Sequence, residues 1–191
     1  MEKYRAQVRA YLRATAALLN AMAEDLQLEN GICQAAQALA ETYKRGNRVF
    51  IIGNGGSAGQ AQHFAAELVG YFNHGDKSLS AFALTTDTSF LTAWVNDDDA
   101  AEVFARQLEA HAREGDTLVA ISTSGTSSNV LHALRAAGNK GVMRIAIVGE
   151  HWRSVAGAEV VVTMHSRETP RIQEAHMVII HVLCKCLAEL R

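Results

Sequence analysis

The chain has 191 residues and carries 18 Lys and Arg against 20 Asp and Glu, so its formal net charge at pH 7 is −2. Compact domains usually contain about 100–200 residues, and this length predicts a single domain over residues 1–191. Acidic and basic residues are interspersed along the chain. Because nucleic-acid binders usually show a basic stripe, we expect no direct contact with nucleic acid.

Cysteine usage and hydropathy predict the compartment. Cys33, Cys184 and Cys186 are odd in number and lack the spacing of a disulfide framework, so they are typical of small apolar residues in a reducing compartment. The N-terminus shows no apolar run of the signal-peptide kind, and no segment approaches the ~20 apolar residues that span a bilayer. We therefore expect a cytoplasmic protein without a membrane partner.

The first 46 residues favour helix, since Ala, Leu, Glu, Gln and Arg dominate them. Apolar residues recur at intervals of three and four from Val8 to Met22, which is the spacing of one helical face. We predict one long helix, a break near residues 29–31, and a second helix that runs to about Lys44.

From residue 47 onward, short runs of Val, Ile and Ala are each followed by Gly or Ser and then by a helical stretch. The runs are near-continuously apolar, as in strands that are buried on both faces. Strands interleaved with helices predict a parallel α/β sheet. A last helix, from about 171 to 190, is entered through Pro170. The predicted strands are 48–52, 79–84, 117–121, 144–148 and 159–163.

A glycine-rich turn, Gly-Asn-Gly-Gly-Ser-Ala-Gly over residues 53–59, follows the first predicted strand. Such a turn lets the backbone approach a ligand, and the next helix start offers unpaired N–H groups that suit an anion. A tight turn that only needs positive φ is the alternative. The turn also matches a dinucleotide fingerprint, but that fingerprint requires an acidic residue at the end of a second strand about 20 positions on. Here the second predicted strand is followed by Asp87, which is too far along and disfavours a nicotinamide oxidoreductase.

A second loop, residues 122–129, follows the third predicted strand and contains four serines and two threonines. Hydroxyl and N–H groups at a helix start suit one phosphate monoester without any Lys or Arg. An N-cap cluster without a ligand is the alternative. Because open α/β sheets bind ligands at the carboxyl ends of their strands, the two loops together favour a phosphorylated ligand.

Candidate acid, base and metal-binding groups lie on two predicted helices. His63 and Glu67 are four residues apart, so one helical face carries both. Gln173 and His181 are eight apart on roughly one side of the last helix, and His176 is an equal candidate for the functional histidine. Ordinary surface or structural roles are the alternatives for each of these residues.

Four motifs in this order resemble those of the sedoheptulose-7-phosphate isomerases (phosphoheptose isomerases), members of the sugar-isomerase (SIS) family, over essentially the whole chain. The motifs are residues 53–57, 62–68, 122–127, and 171–174 with His181. The resemblance implies a flavodoxin-like three-layer α-β-α sandwich over 47–191, with a five-stranded parallel sheet preceded by N-terminal helices over 1–46. It also implies a homotetramer with sites between subunits.

The resemblance further implies conversion of sedoheptulose 7-phosphate to D-glycero-D-manno-heptose 7-phosphate, towards nucleotide-activated heptoses for lipopolysaccharide or other glycans. It assigns the phosphate contacts to Ser122, Thr123, Ser124 and Ser127. It assigns the sugar contacts to Asn54, Gly55, Gly56, Ser57, Glu67, Asn96, Asp97 and Gln173. It assigns one zinc ion to His63, Glu67, Gln173 and His181, and the acid/base pair to Glu67 and His181.

The residue types agree with this chemistry, because moving a proton between C1 and C2 needs a base at carbon and an acid at oxygen. Some positions depart from the family pattern: Tyr71 stands for Arg, Thr126 for Asn, Pro170 for Asp, and residues 149–153 lack Gly-x-Asp-Gly-Gly. These departures leave another phosphosugar open as the substrate.

A non-catalytic SIS protein that binds a replication-initiation partner is the competing hypothesis. In that branch the positions matching Glu67 and His181 tend to be lost, whereas this chain keeps both. A binding protein has no need of a carboxylate and an imidazole there, which favours the enzyme.

Overall fold

The computed structural model describes residues 1–70, 78–150 and 157–188. Two helices open the chain, and strands alternate with helices after them. The elements are α1 (Glu2–Ala23), α2 (Leu26–Lys44), β1 (Val49–Gly53), α3 (Gly56–Val69), β2 (Ala81–Ala83), α4 (Thr88–Asp97), α5 (Val103–His111), β3 (Thr117–Ser122), α6 (Ser128–Asn139), β4 (Met143–Gly149), β5 (Val160–Met164) and α7 (Thr169–Ala188), with one 3-10 turn at Ala100–Glu102.

The five strands form one parallel sheet in the order β2-β1-β3-β4-β5. The predicted five-stranded parallel sheet of flavodoxin-like order is therefore confirmed. This order changes direction between β1 and β3, and such a switch point is where doubly wound sheets bind ligands. Gly53 at the end of β1 lies in register with Ile121 of β3, so the loops after both strands start side by side.

Helices cover both faces of the sheet and create two apolar cores, which confirms the three-layer sandwich. Leu39 of α2, Phe64 of α3 and Ile179 of α7 belong to one core. Phe104 of α5 and Leu134 of α6 belong to the other. Every residue of β1 and β3 is buried, because successive side chains of each strand enter opposite cores. This explains why both strands are near-continuously apolar.

The predicted break near residues 29–31 is wrong, and the chain instead breaks at residues 24–25. The Asp25 carboxylate caps α2, since it accepts hydrogen bonds from the N–H groups of Gln27 at 2.9 Å and Leu28 at 3.0 Å. Gly31 lies buried within α2, where a Cβ would be 3.2 Å from the Val161 carbonyl oxygen. Glycine there lets α2 approach β5 closely.

The edges of the molecule differ from the interior. β2 is an edge strand that covers only residues 81–83 of the predicted 79–84, and its Phe82 side chain is exposed. α1 has no buried residue.

Within residues 1–70, 78–150 and 157–188, no helix combines the length and the apolar character needed to cross a membrane.

Candidate active site

The glycine-rich turn connects β1 to α3 through a tight bend. A Cβ on Gly53 would lie 2.6 Å from the Ser57 carbonyl oxygen, so the bend has no room for a side chain. Gly55 has φ of +53°, which favours glycine. The positive φ of the tight-turn alternative is therefore present. The same bend also places the start of α3, and the buried Ser57, at the carboxyl edge of the sheet.

The serine-rich loop is shaped by its own hydroxyl groups. The Ser122 hydroxyl accepts a hydrogen bond from the Gly125 N–H at 3.0 Å, and the Ser124 hydroxyl accepts from the Thr126 N–H at 3.3 Å. Ser127 is the N-cap of α6, yet its side chain makes no capping hydrogen bond. The N-cap alternative thus loses support, whereas the positive end of the α6 dipole at this loop suits an anion.

Two asparagines join the glycine-rich and serine-rich loops. The Asn54 amide N–H donates to Asn129 Oδ1 at 2.8 Å, and the Asn129 amide N–H donates to Asn54 Oδ1 at 2.9 Å. Both residues line a cavity of about 270 Å³, which has Leu91 and Phe104 among its apolar walls. The glycine-rich turn and Asn129, the last residue of the predicted serine-rich loop, therefore border one cavity.

α3 and α7 bring a carboxylate and two imidazoles together, about two helical turns beyond the start of α3. His63 Nε2 lies 2.9 Å from His181 Nε2 and 3.7 Å from Glu67 Oε1. The His63 and Glu67 side chains are about one third exposed, at 35% and 27%, so a ligand can reach them from solvent. Since two imidazole nitrogens at this distance share one proton, one ring donates and the other accepts.

The structure brings His181, and not His176, to His63. His176 has no exposed surface and points into the protein from α7. Burial lowers the pKa of His176 to about 4, while the nearby Val148 backbone carbonyl opposes this shift. His176 is therefore a neutral core residue at neutral pH.

The Gln173 carboxamide lies over the first residue of α3. A Cβ at position 56 would be 2.9 Å from Gln173 Cδ, so glycine makes room for the amide. Gln60 holds the α7 backbone here, because its Nε2 donates to the Gln173 carbonyl oxygen at 2.7 Å. Gly56, Gln60 and Gln173 line a cavity of about 340 Å³. Gln60 Oε1 is buried and has no hydrogen-bond partner in the part of the chain that the structure describes.

A cluster between α1 and α7 flanks Gln173. The Arg171 guanidinium lies 3.6 Å from the centre of the Tyr11 ring and pairs with the Glu174 carboxylate at 2.9 Å. The Tyr11 hydroxyl donates to Glu174 at 2.8 Å, and this hydrogen bond raises the pKa of Tyr11. α1 therefore braces the first turns of α7, which carry Gln173.

Some predicted positions lie elsewhere. Asn96 and Asp97 end α4 on the surface, where the Asn96 amide donates to the Asp97 carboxylate at 2.6 Å. Among the described residues, no hydrogen bond links them to the two loops or to the histidines. Tyr71 and residues 151–153 lie outside the described residues. Thr126 lies in the serine-rich loop, and Pro170 lies in the first turn of α7.

The predicted zinc ligands supply suitable donor atoms, because zinc takes imidazole nitrogen and carboxylate oxygen. Within the described ranges, no three His, Cys, Asp or Glu side chains form an assembled metal centre. Two nitrogens bound to one tetrahedral zinc would lie about 3.3 Å apart. The 2.9 Å between His63 and His181 is therefore the distance of a hydrogen-bonded pair that needs little opening to admit an ion.

Comparison with known proteins agrees with this geometry. Residues 10–149 match the SIS domain family, which unites sugar-isomerase-type α/β domains, and the chain belongs to this family. A phosphoheptose isomerase of Geobacter sp. (strain M21) is 44% identical over 96% of this chain and 93% of its own. A Campylobacter concisus phosphoheptose isomerase is 46% identical over 87% of this chain and 88% of its own.

A solved structure supports the fold in detail. The phosphoheptose isomerase of Neisseria gonorrhoeae has a TM-score of 0.89 with this chain, at 36% identity over 97% of this chain and 99% of its own. That of Francisella tularensis has a TM-score of 0.90, at 30% identity over 97% and 98% of the two chains.

Sequence reasoning missed two amides that organise this edge of the sheet. Gln60 lies three residues before His63 on α3, and this spacing was an available signal for a shared face. Asn129 was the last residue of the predicted loop and was given no role.

A larger cavity of about 580 Å³ lies at the opposite edge of the sheet, between α2 and the starts of β4 and β5, and contains none of the predicted site residues.

Proposed function

We propose that the protein is a phosphoheptose isomerase, which converts sedoheptulose 7-phosphate to D-glycero-D-manno-heptose 7-phosphate. The observation that carries this proposal is the His63–His181–Glu67 group, which lies about two helical turns along α3 from the glycine-rich turn. Two relatives that are 44% and 46% identical are named phosphoheptose isomerases, which supports a heptose phosphate as the substrate.

The loops divide the substrate between them. Ser122, Thr123, Ser124 and Ser127 surround the start of α6, where N–H groups and the helix dipole bind the phosphate. Asn54, Gly55, Gly56, Ser57 and Gln173 line the path towards α3 and contact the sugar hydroxyls. Asn96 and Asp97 reach a sugar only from the surface of α4, which fits contacts to a neighbouring subunit.

The reaction moves one proton between neighbouring carbons. The Glu67 carboxylate takes a proton from C1 of the ketose, while the His181 N–H gives its proton to O2, and an enediol forms. Glu67 then returns its proton to C2, and His181 takes the proton of the O1 hydroxyl, so C1 becomes the aldehyde carbon. His63 contacts His181 Nε2 and thereby controls which ring carries the shared proton.

We further propose that His63, Glu67, Gln173 and His181 would hold one zinc ion, and that Glu67 and His181 act as base and acid only while they do not coordinate it. A bound zinc ion polarises the substrate carbonyl and stabilises negative charge on the enediolate oxygens. The donor types and the short His63–His181 distance support this site.

A homotetramer is the assembly that we propose. α1 exposes Val8, Leu12 and Leu19 at 56%, 63% and 38%, although these large apolar side chains share one helical face. An exposed apolar stripe of this kind marks an interaction surface. Light scattering tests this: Leu12→Glu should dissociate the assembly, while Lys3→Glu, on the opposite side of α1, should leave it intact.

The competing hypothesis, a non-catalytic partner-binding protein, has no support here. Both Glu67 and His181 are present and lie around His63, as an acid/base site requires. We retain the cytoplasmic location and the contribution to lipopolysaccharide or other glycans as predictions.

The deciding experiment is turnover. Zinc-supplemented protein is incubated with sedoheptulose 7-phosphate, and the aldoheptose 7-phosphate is measured. Wild type and the control Glu109→Gln, a change of an exposed carboxylate on α5, should form product. Glu67→Gln should lose at least 10²-fold in kcat, the usual contribution of one acid or base. A wild type that binds the ketose phosphate without forming product would overturn the proposal, and full activity of Glu67→Gln would remove Glu67 from the mechanism.

A further inference from the structure

The reciprocal amide pair between Asn54 and Asn129 links the sugar side of the site to the phosphate side. We infer that Asn129 is a positioning residue, which fixes Asn54 against the serine-rich loop and so sets the distance between the sugar and phosphate subsites. This inference rests on the proposed function, since it assumes one ligand that occupies both subsites.

The two partners differ in how firmly the rest of the protein holds them. Asn54 lies in an exposed turn between Gly53 and Gly55, and glycine restricts the backbone least. Asn129 lies in the first turn of α6, directly before Val130, which is buried in the core. Asn129 on α6 is therefore better anchored than Asn54, and it holds the glycine-rich turn in place.

The pairing also couples the orientations of the two amides. Each side chain donates one N–H and accepts at one oxygen, so neither amide can rotate by 180° on its own without losing both bonds. The second N–H and the second lone pair of each amide remain for the cavity of about 270 Å³ that both residues line. Asn54 thus presents a defined donor and acceptor to a sugar hydroxyl.

Substitution with aspartate isolates this role, because it preserves size and removes the donor. Asn129→Asp would place a carboxylate oxygen against Asn54 Oδ1, so one hydrogen bond is lost and two acceptors face each other. Asn129→Ala removes both bonds. Asn139, exposed at the last turn of the same helix, provides the matched control, as Asn139→Asp and Asn139→Ala.

The experiment measures binding of sedoheptulose 7-phosphate and, separately, of inorganic phosphate, together with kcat and KM. For Asn129→Ala and Asn129→Asp we expect about tenfold weaker sugar-phosphate binding and a matching rise in KM, because the loss of one to two hydrogen bonds is of this order. Inorganic phosphate should bind as it does to wild type, since it contacts only the serine-rich loop. Asn54→Ala combined with Asn129→Ala should be no worse than the poorer single variant.

Three results would overturn the inference. Equal loss of inorganic-phosphate and sugar-phosphate binding would show that Asn129 only shapes the serine-rich loop. Unchanged sugar-phosphate binding would show that Asn54 needs no support, and additive effects in the double variant would show that the two residues act separately. The binding measurements do not depend on turnover, so an inactive wild type would contradict the proposed reaction and leave this comparison intact.

Discussion

The Gln173 carboxamide occupies the space that any side chain at position 56 would need. A Cβ there would lie 2.9 Å from Gln173 Cδ and 3.0 Å from Gln173 Oε1. Gly56 is the first residue of α3, and Gln173 lies in the second turn of α7. The absence of a side chain on one helix therefore determines where the amide of the other helix is held.

Gly56→Ala should lower kcat/KM by at least tenfold with little change in melting temperature. The new methyl group displaces a mobile amide and leaves the core untouched, so the effect falls on the site. Gly59→Ala is the matched control, because a Cβ there meets nothing within 4 Å and alanine favours a helix by about 0.5–1 kcal/mol. Steady-state kinetics and thermal unfolding of both variants check this; an unimpaired Gly56→Ala enzyme would show that Gln173 does not act from this position.

Metal binding should depend on both histidines of the pair. Metal-free protein titrated with Co²⁺ should develop visible absorption bands of a tetrahedral site, because cobalt reports the geometry that zinc adopts. His63→Ala and His181→Ala should each abolish the bands and the metal-dependent rise in activity. His111→Ala, at an exposed histidine on α5, should retain them. Unaltered absorption bands in His63→Ala or His181→Ala would show that the metal ion binds at another site.

The buried His176 should make the protein less stable in acid. Its pKa is about 4 in the folded protein, below the ordinary histidine pKa of 6.5, because burial disfavours the charged ring. Between these values the unfolded chain binds a proton that the folded chain does not, so stability falls as pH falls from about 6.5 to 4. The shift corresponds to a loss on the order of 3 kcal/mol.

Urea unfolding of wild type and His176→Leu between pH 7 and pH 4.5 checks this prediction. The difference in unfolding free energy between the two proteins should move in favour of His176→Leu as the pH falls. Parallel pH profiles would mean that His176 takes up a proton as readily in the folded protein as in the unfolded chain.

Asp116 should contribute more to stability than any exposed ion pair. Its carboxylate is buried and accepts hydrogen bonds from the N–H groups of Arg48 and Arg113, both at 2.9 Å, and pairs with the Arg48 guanidinium at 3.1 Å. Asp116→Ala leaves the backbone N–H groups of Arg48 and Arg113 without this acceptor, while Arg48 Nη2 keeps only the His111 carbonyl oxygen, and the substitution should cost about 3–5 kcal/mol.

The control for Asp116→Ala is Glu41→Gln, which breaks the exposed pair with Lys44 and should change stability far less, because solvent screens an exposed pair. Chemical denaturation measures both. Comparable losses in the two variants would show that burial does not set the value of the Asp116 contacts.

Burial on both faces made much of the sheet predictable. β1, β3 and β4 lie within one residue of the predicted runs at each end, because a strand between two cores has to be apolar throughout. The α1–α2 boundary was misplaced because Gly31 resembles a break, although it marks close packing against β5. Asp25, an N-cap residue type, was the better signal.

The candidate site, like the fold, could be predicted from the sequence only in part. A spacing of four residues on one helix places His63 and Glu67 on a common face in any fold. Nothing along α7 distinguishes His176 from His181, since the choice depends on which side of the helix meets α3. The contact between Asn54 and Asn129 joins residues 75 positions apart, and only the side-by-side loops after β1 and β3 bring it about.

Because α1 is weakly anchored, the specific activity of the protein should depend on its concentration. α1 buries none of its own residues, and most of the stability of a helix in a protein comes from tertiary packing. Its Tyr11 nevertheless contacts Arg171 and Glu174, the residues two before and one after Gln173. If the proposed assembly dissociates on dilution, the brace that Tyr11 provides near Gln173 should loosen, so specific activity should decline below the concentration at which the proposed subunits separate.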